Sequence, residues 1–305
     1  MILLFASLLL AADAQHYRAD LVNHANFKLI HPYQEECGQS LADRIIGGIN
    51  ASLGQYPWLA RLGYSFGQTK GKSSVDVYEC GGAIITDRYI LSAAHCSPEA
   101  LGIKLVQVRL GEYDTETDPD CVDGVCAPPV QDVDVESHIC HPNYNKEDYH
   151  NDICLIRLAT PIQFNDFVQP ICLPIYELFL TNTFETYVME VAGWGVYNIS
   201  IRMPHKILQT VKVPIANHWL CELSYSSKAA IHETQFCAGG IIGRDSCSGD
   251  SGGPLMRPFS IDAPPKYFLV GIVSFGPKKC AETDSPGVYT KASDYMKWIL
   301  DNIAP

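Results

Sequence analysis

No run of apolar residues in this 305-residue chain is long enough to cross a bilayer. The one near the start, MILLFASLLLAADAQ, stops short. Basic tracts are also lacking: 22 Lys and Arg stand against 34 Asp and Glu, a formal charge of −12. That balance excludes nucleic acid and anionic membrane surfaces as partners and favours solubility. There is no internal repeat and no low-complexity tract, which excludes solenoids and disordered linkers. Helical periodicity is almost absent. Only ASDYMKWILDNI, 292–303, shows it, with Tyr295, Trp298, Ile299 and Ile303 on one face.

The chain does hold an apolar fraction of 47%, ample for a packed core, and twelve cysteines. The short apolar start ends in small residues, Ala12 and Ala14, in the arrangement a signal peptidase accepts. Residues 1–14 are therefore read as a signal peptide, and the remainder as soluble and secreted. An even cysteine number in that compartment reads as disulfides. Sequons at Asn50 and Asn198 are candidate glycosylation sites.

Short β-rich runs such as AIITDRYILSAA, KLVQVRLGEY, ICLIRL and YFLVGIVSFG, separated by Gly, Pro, Asn and Asp, predict an all-β barrel or sandwich. Residues 15–44 show neither helical nor strand period, and they end at Arg44 immediately before IIGG. That stretch reads as a propeptide.

Three segments carry chemistry. DSCSGDSGGP, 245–254, sets Ser251 in a glycine-rich turn that can aim backbone N–H groups at a carbonyl. LSAAHC supplies His95 and NDICLIRL supplies Asp152. A serine hydroxyl is a poor nucleophile at neutral pH and needs a base to take its proton; an imidazole in turn needs a partner to fix its tautomer. Taken singly, each residue is more often surface or core than catalytic, but three matching contexts reverse those odds.

The order His, Asp, Ser with these contexts resembles the chymotrypsin/trypsin family from Ile45 to Pro305. The resemblance implies two six-stranded antiparallel barrels and a C-terminal helix, with domain limits 1–14, 15–44 and 45–305. It implies His95, Asp152 and Ser251 as the catalytic triad, and the N–H groups of Gly249 and Ser251 as the oxyanion hole. Asp245 would form the base of the specificity pocket and select Arg or Lys, because a buried carboxylate left without its cation costs roughly 3–5 kcal/mol. Gly276 and Gly287 would line that pocket. Ser274, Phe275 and Gly276 would pair with the substrate backbone, Phe275 standing where trypsins usually carry Trp. Cleavage after Arg44 would free the Ile45 amine to pair with Asp250 and order the site.

The same resemblance implies disulfides Cys80 with Cys96, Cys221 with Cys237, Cys247 with Cys280, and Cys37 with Cys172, which would keep the propeptide attached. One familiar bridge is missing, its places held by Met189 and Arg257. Cys121 and Cys126 are near enough in sequence to staple the acidic loop DTETDPDCVDGVC, which leaves Cys140 and Cys154 to each other or free. DRIIGG, that stapled loop and the missing bridge resemble the arthropod clip-domain proteases of the easter-like and prophenoloxidase-activating kind. Only Cys37 precedes Arg44, so the expectation is a relative without a clip domain.

No cofactor is expected to be required. Glu112, with Asp114 and Glu116 nearby, lies where some family members bind calcium, and a solvated acidic loop is the equal alternative. Expected partners are protein substrates, an upstream trypsin-like activating protease and a serpin-type inhibitor, in extracellular proteolysis of arthropod immunity or development. A digestive trypsin and a silent scaffold homologue are the rival readings. Residues 63–79 and 175–187 are candidate contact loops, or passive surface.

Overall fold

Where apolar and polar residues alternate between turn signals, the described residues form sixteen short strands, three of them only two residues long. The structure is a computed structural model and describes residues 17–41, 50–67, 75–97, 102–198, 203–226, 229–241, 249–261, 264–277 and 283–305.

The first β unit comprises β1 (Leu59–Ser65), β2 (Val77–Ile84), β3 (Tyr89–Ser92) and β4 (Lys104–Leu110). After a small hairpin, β5 (Cys121–Val122) with β6 (Val125–Cys126), come β7 (Gln131–Cys140) and β8 (Cys154–Leu158). Strands β1-β2-β3-β8-β7-β4 close into an antiparallel barrel. All four residues of β3 are buried between β2 and β8, whereas β7 turns most of its side chains to solvent. Leu62, Ile84, Ile90, Leu110 and Leu158 fill the barrel, as the pleat alternation requires.

In the second unit are β9 (Val188–Gly193), β10 (Val196–Asn198), β11 (Met203–Pro204), β12 (Gln209–Pro214), β13 (Gln235–Gly239), β14 (Pro254–Phe259), β15 (Lys266–Phe275) and β16 (Pro286–Lys291). Its sheet runs β12-β9-β14-β15-β16-β13. The two edges meet through a single bridge, Ile215 with Ala238, and the bond from Ala216 N–H to the Cys237 carbonyl at 2.8 Å. This unit is thus a curled half-barrel and not a second closed ring. Pro214, at the end of the edge strand, has no N–H to offer a longer ladder.

Residues 17–41 hold helices although their sequence shows no helical period. Helices α1 (Ala19–Val22) and α2 (Phe27–Glu36) lie against the second unit and bury Leu21, Phe27 and Ile30 in the common core. Sequence period could not reveal them, because one has four residues and the other is interrupted by Pro32. Arg18 reaches the Ser293 carbonyl. Asn26 Nδ2 donates to the carbonyls of Leu300 and Ile303, at 2.9 and 3.2 Å, at the end of the C-terminal helix, where backbone acceptors otherwise lack partners. Gly38, at φ +65°, exchanges backbone bonds of 2.9 Å with Pro170 and Tyr267, and any Cβ there would strike the Tyr267 backbone.

Three helices complete the fold: α3 (Leu178–Thr181), α4 (His218–Tyr225) and α5 (Met296–Asn302), the last preceded by a 3₁₀ turn over Ala292–Tyr295. Tyr295, Ile299 and Ile303 are buried as the periodicity predicts, joined by Met296 and Leu300. Residues 175–187 are anchored by their aromatic rings, Phe179, Phe184 and Tyr187 clustering with Phe259 and Phe268, while Glu177, Leu180, Thr181, Thr183, Glu185 and Thr186 stay exposed.

Because Leu21 is fully buried, Leu21→Ala is expected to lower unfolding stability by about 2–5 kcal/mol, as a barrel substitution would. Denaturant unfolding measures this; an unchanged midpoint would mean that the leader is a detachable appendage.

Candidate active site

His95 sits on a one-turn 3₁₀ segment, Ala94–Cys96, immediately after β3, and the disulfide from Cys96 to Cys80 on β2 ties that turn to the barrel. Its backbone N–H donates to Asp152 Oδ1 at 2.9 Å, and Nδ1 lies 2.7 Å from Asp152 Oδ2. Asp152 is completely buried, two residues before β8. From the second unit, Ser274 Oγ donates to Asp152 Oδ2 at 2.5 Å and Thr290 Oγ1 to the Asp152 carbonyl at 2.9 Å. Donors thus meet both carboxylate oxygens, and the contact with Asp152 assigns the imidazole proton to Nδ1, leaving Nε2 as acceptor.

The turn bearing Ser251 is pinned at the meeting of the two units. Gly81 N–H, from the first, donates to the Ser251 carbonyl at 2.8 Å; Gly252 N–H donates to Val273 in the second, also at 2.8 Å. Gly249 has φ +103°, and a Cβ on it would come 3.0 Å from Gly195 Cα. Only glycine suits that place. Next to it, Asp250 Oδ1 accepts from Gly195 N–H at 2.9 Å, and its carboxylate occupies the space that side chains on Gly193 and Gly195 would need.

His95 Nε2 lies 3.7 Å from Cys96 Sγ, and among the described residues no hydrogen bond joins it to Ser251. Such contacts are commonly loose before substrate binds. Cys80, His95 and Cys96 bring one nitrogen and two sulfurs together, but both sulfurs belong to the disulfide, so neither is a thiolate able to hold a metal.

A wall of aromatic rings stands beside the histidine. Tyr149 meets His95 edge-on at 5.8 Å and stacks on Phe275 at 4.9 Å, and Tyr225 meets Phe275 at 5.3 Å. Sequence reading singled out Phe275 and missed Tyr149, whose sole signal is its place three residues before Asp152. Thr290 was also missed; nothing in GVYTKA marks it. Gly276 and Gly287 face one another, a Cβ on the first lying 3.7 Å from Cα of the second. Asp245, Arg44 and Ile45 lie outside the described residues, as do Cys247 with Cys280 and the side chain of Asn198. Asn50 is exposed, its Oδ1 accepting from Gln209 at 3.0 Å.

Disulfides join Cys37 with Cys172, Cys80 with Cys96, Cys121 with Cys126, Cys140 with Cys154, and Cys221 with Cys237. Where the familiar bridge is missing, Met189 is fully buried, while Arg257 donates to the Val188 carbonyl and lies over the Tyr187 ring.

The acidic loop ties its carboxylates internally. Glu112, its side chain 2% exposed, already faces the guanidinium groups of Arg61 and Arg109 at 3.6 and 3.5 Å, and accepts from Tyr113 N–H. Burial pushes its carboxyl pKa up, and Arg61 opposes that rise. Asp120 accepts from the N–H groups of Tyr113 and Asp114 and from Thr117, and Glu116 pairs with Lys206. Two guanidinium groups thus face one oxygen of Glu112, and the neighbouring buried carboxylate of Asp120 pushes its pKa up further.

Comparison with known proteins agrees with this geometry. The Trypsin family model matches residues 45–299. "CLIP domain-containing serine protease HP8" of Bombyx mori is 43% identical over 92% of this chain and 75% of its own length. The "Spaetzle-processing enzyme" of Drosophila melanogaster is 40% identical over 90% and 70%. Among solved structures, the Drosophila "Grass clip serine protease of Toll pathway" superposes with a TM-score of 0.77 at 35% identity, covering 90% of this chain and 77% of that one. With a buried Asp–His pair beside a glycine-bound serine turn and these relatives along most of its length, the chain belongs to the trypsin family of serine proteases and is a serine endopeptidase.

Proposed function

We propose that this chain is the zymogen of a secreted endopeptidase that is activated by cleavage after Arg44 and then cuts protein substrates after Arg or Lys. The observation that carries the reading is the 2.7 Å bond between His95 and the buried Asp152, beside the turn of Ser251. Ser251 Oγ attacks the scissile carbonyl while Nε2 of His95 takes its proton. The oxyanion that forms is met by the N–H groups of Gly249 and Ser251, and His95 returns the proton to the leaving amine. Water, activated by the same imidazole, then hydrolyses the acyl-enzyme. Asp152 holds the tautomer throughout and stabilises the imidazolium.

Asp245 supplies the charge that selects a cationic side chain, and the Ile45 ammonium pairs with Asp250 to order the pocket. Among the relatives are "Melanization protease 1" and "Phenoloxidase-activating factor 3" as well as the Spaetzle-processing enzyme. By that analogy the setting is an immune protease cascade, with an upstream trypsin-like activator and a serpin-type inhibitor as partners and Asn50 and Asn198 as glycan sites. No calcium is required in this reading, since Arg61 and Arg109 already face Glu112 at 3.6 and 3.5 Å.

The decisive experiment is hydrolysis of matched peptides ending in Arg, Lys, Phe or Ala, before and after cleavage at Arg44. Turnover of the Arg and Lys peptides is expected only after cleavage, and no turnover by correctly folded, cleaved protein would favour a silent scaffold. Asp152→Asn is expected to lower kcat by about 10⁴-fold with the fold intact, because the amide selects the wrong tautomer. The free Ile45 amine starts from a pKa of about 7.7–8.0 and pairing raises it, so activity is retained below that raised value and lost as pH climbs through it. An alkaline limb in kcat/KM, absent from the His95 titration, checks this. A chelator should leave the melting temperature unchanged, while Glu112→Gln lowers it with or without calcium; differential scanning calorimetry reads both.

A further inference from the structure

The loop between β7 and β8, residues 141–153, carries Tyr149, Asn151 and Asp152, and Cys140–Cys154 closes its neck. Tyr149 and Asn151 both have positive φ, +57° and +58°, a conformation that side chains other than glycine hold only when their surroundings insist. The surroundings come from the second unit. His232, before β13, stacks on His150 with centroids 3.8 Å apart and planes 10° from parallel, and its Nε2 lies 3.0 Å from Asp148 Oδ2. Gln235 fixes His232 by accepting its N–H at 3.0 Å, and through Nε2 it donates to the Tyr149 carbonyl at 3.1 Å. Tyr295 donates to Asn151 Oδ1 at 2.9 Å.

We propose that His232 is a positioning residue for the reaction, clasping the Asp152 loop across the two units, and that the His150–His232 stack makes this clasp release when both imidazoles are protonated. The inference rests on the catalytic roles proposed above for Asp152 and His95.

The physical ground is charge density at a fixed contact. One imidazolium in the stack has a carboxylate, Asp148, to face; two imidazolium rings face to face share that single counter-charge and repel. The other groups facing the pair offer no second anion. His141, packed between Tyr295 and Trp298, adds a like charge when protonated. Lys146, Glu147 and Glu233 are exposed, Lys291 is paired with Asp294, and Asp152 is engaged with His95. Burial holds the pKa of His150 below the ordinary imidazole value, His232 pushes it the same way, and Asp148 partly offsets them. Burial, followed by His150, likewise lowers that of His141. A base whose pKa is depressed in the closed state opposes protonation there. The clasp is therefore fully favoured above the ordinary imidazole range and weakens as pH falls through it. Release would move Asp152 relative to His95, lowering kcat, and lift Tyr149 from Phe275, raising KM.

The test is the pH profile of kcat/KM for an Arg peptide, using the chain cleaved after Arg44. In the wild type the acid limb should steepen toward two protons, about a hundredfold per pH unit, where His95 alone gives about tenfold. His232→Gln keeps an N–H for Asp148 but cannot be charged, so it should restore a one-proton limb while working at alkaline pH. His232→Ala also gives a one-proton limb, but with kcat lowered about tenfold throughout, the size of one lost hydrogen bond to a charged group. Profiles that superimpose for all three proteins would overturn the proposal.

A second arm needs no activity. In uncleaved Ser251→Ala protein, the His150 ring signals followed by NMR should titrate below the ordinary range and move up on His232→Gln; unchanged titration would refute the coupling. If cleaved wild type shows no turnover, the protease reading fails, and this arm alone judges the stack.

Discussion

Asp152 brings a carboxylate into a fully buried place, and much of the architecture follows from satisfying it. Isolated, a buried carboxylate would take up a proton instead of staying charged. Here it accepts the backbone and ring N–H groups of His95 from the first β unit and the hydroxyl of Ser274 from the second. Thr290 holds its carbonyl. One side chain is thereby the meeting point of two units, and neither can shift without leaving that charge underbonded.

The serine turn obeys a steric constraint of similar weight. It must pass between Gly81 and Ser92 of one unit and Val273 of the other, with Asp250 lying over Gly193 and Gly195. Side chains at these glycines would collide with the turn, so backbone N–H groups and a carboxylate can come close together where a substrate carbonyl would lie. The leader belongs to the same economy of contacts: Leu21, Phe27 and Ile30 lie in the shared core, and Asn26 satisfies carbonyls at the end of α5. A cut after Arg44 would leave this segment in place by packing as well as by Cys37–Cys172.

Charge elsewhere is settled internally. Arg61 and Arg109 meet Glu112 with fixed guanidinium groups, and Asp120 binds backbone N–H groups of its own loop. On the other side of the site, a stacked histidine pair and Gln235 hold the loop of Tyr149. That loop joins the aromatic wall to the Asp–His pair, so the rings of Tyr149 and Phe275 and the alignment of Asp152 on His95 share one support.

Local patterns determined much of this in advance. The contexts LSAAHC, NDICL and SGDSGGP picked out His95, Asp152 and Ser251, because nucleophilic chemistry needs those residue types in those settings; alternation and turn residues predicted the strands, and the spacing of Tyr295, Ile299 and Ile303 predicted the terminal helix. Periodicity failed for residues 17–41, where helices of four and ten residues are too short or broken by Pro32 and are stabilised only by the surface they cover. The contact of Arg61 with Glu112 was not legible either, because Arg61, fifty-one positions earlier, meets it only across the β1–β4 pairing. Thr290 and His232 carried no local signal at all, and Tyr149 only its place three residues before Asp152. Their roles arise from contacts between segments far apart in the chain, and such contacts exist only once the two β units have closed on each other.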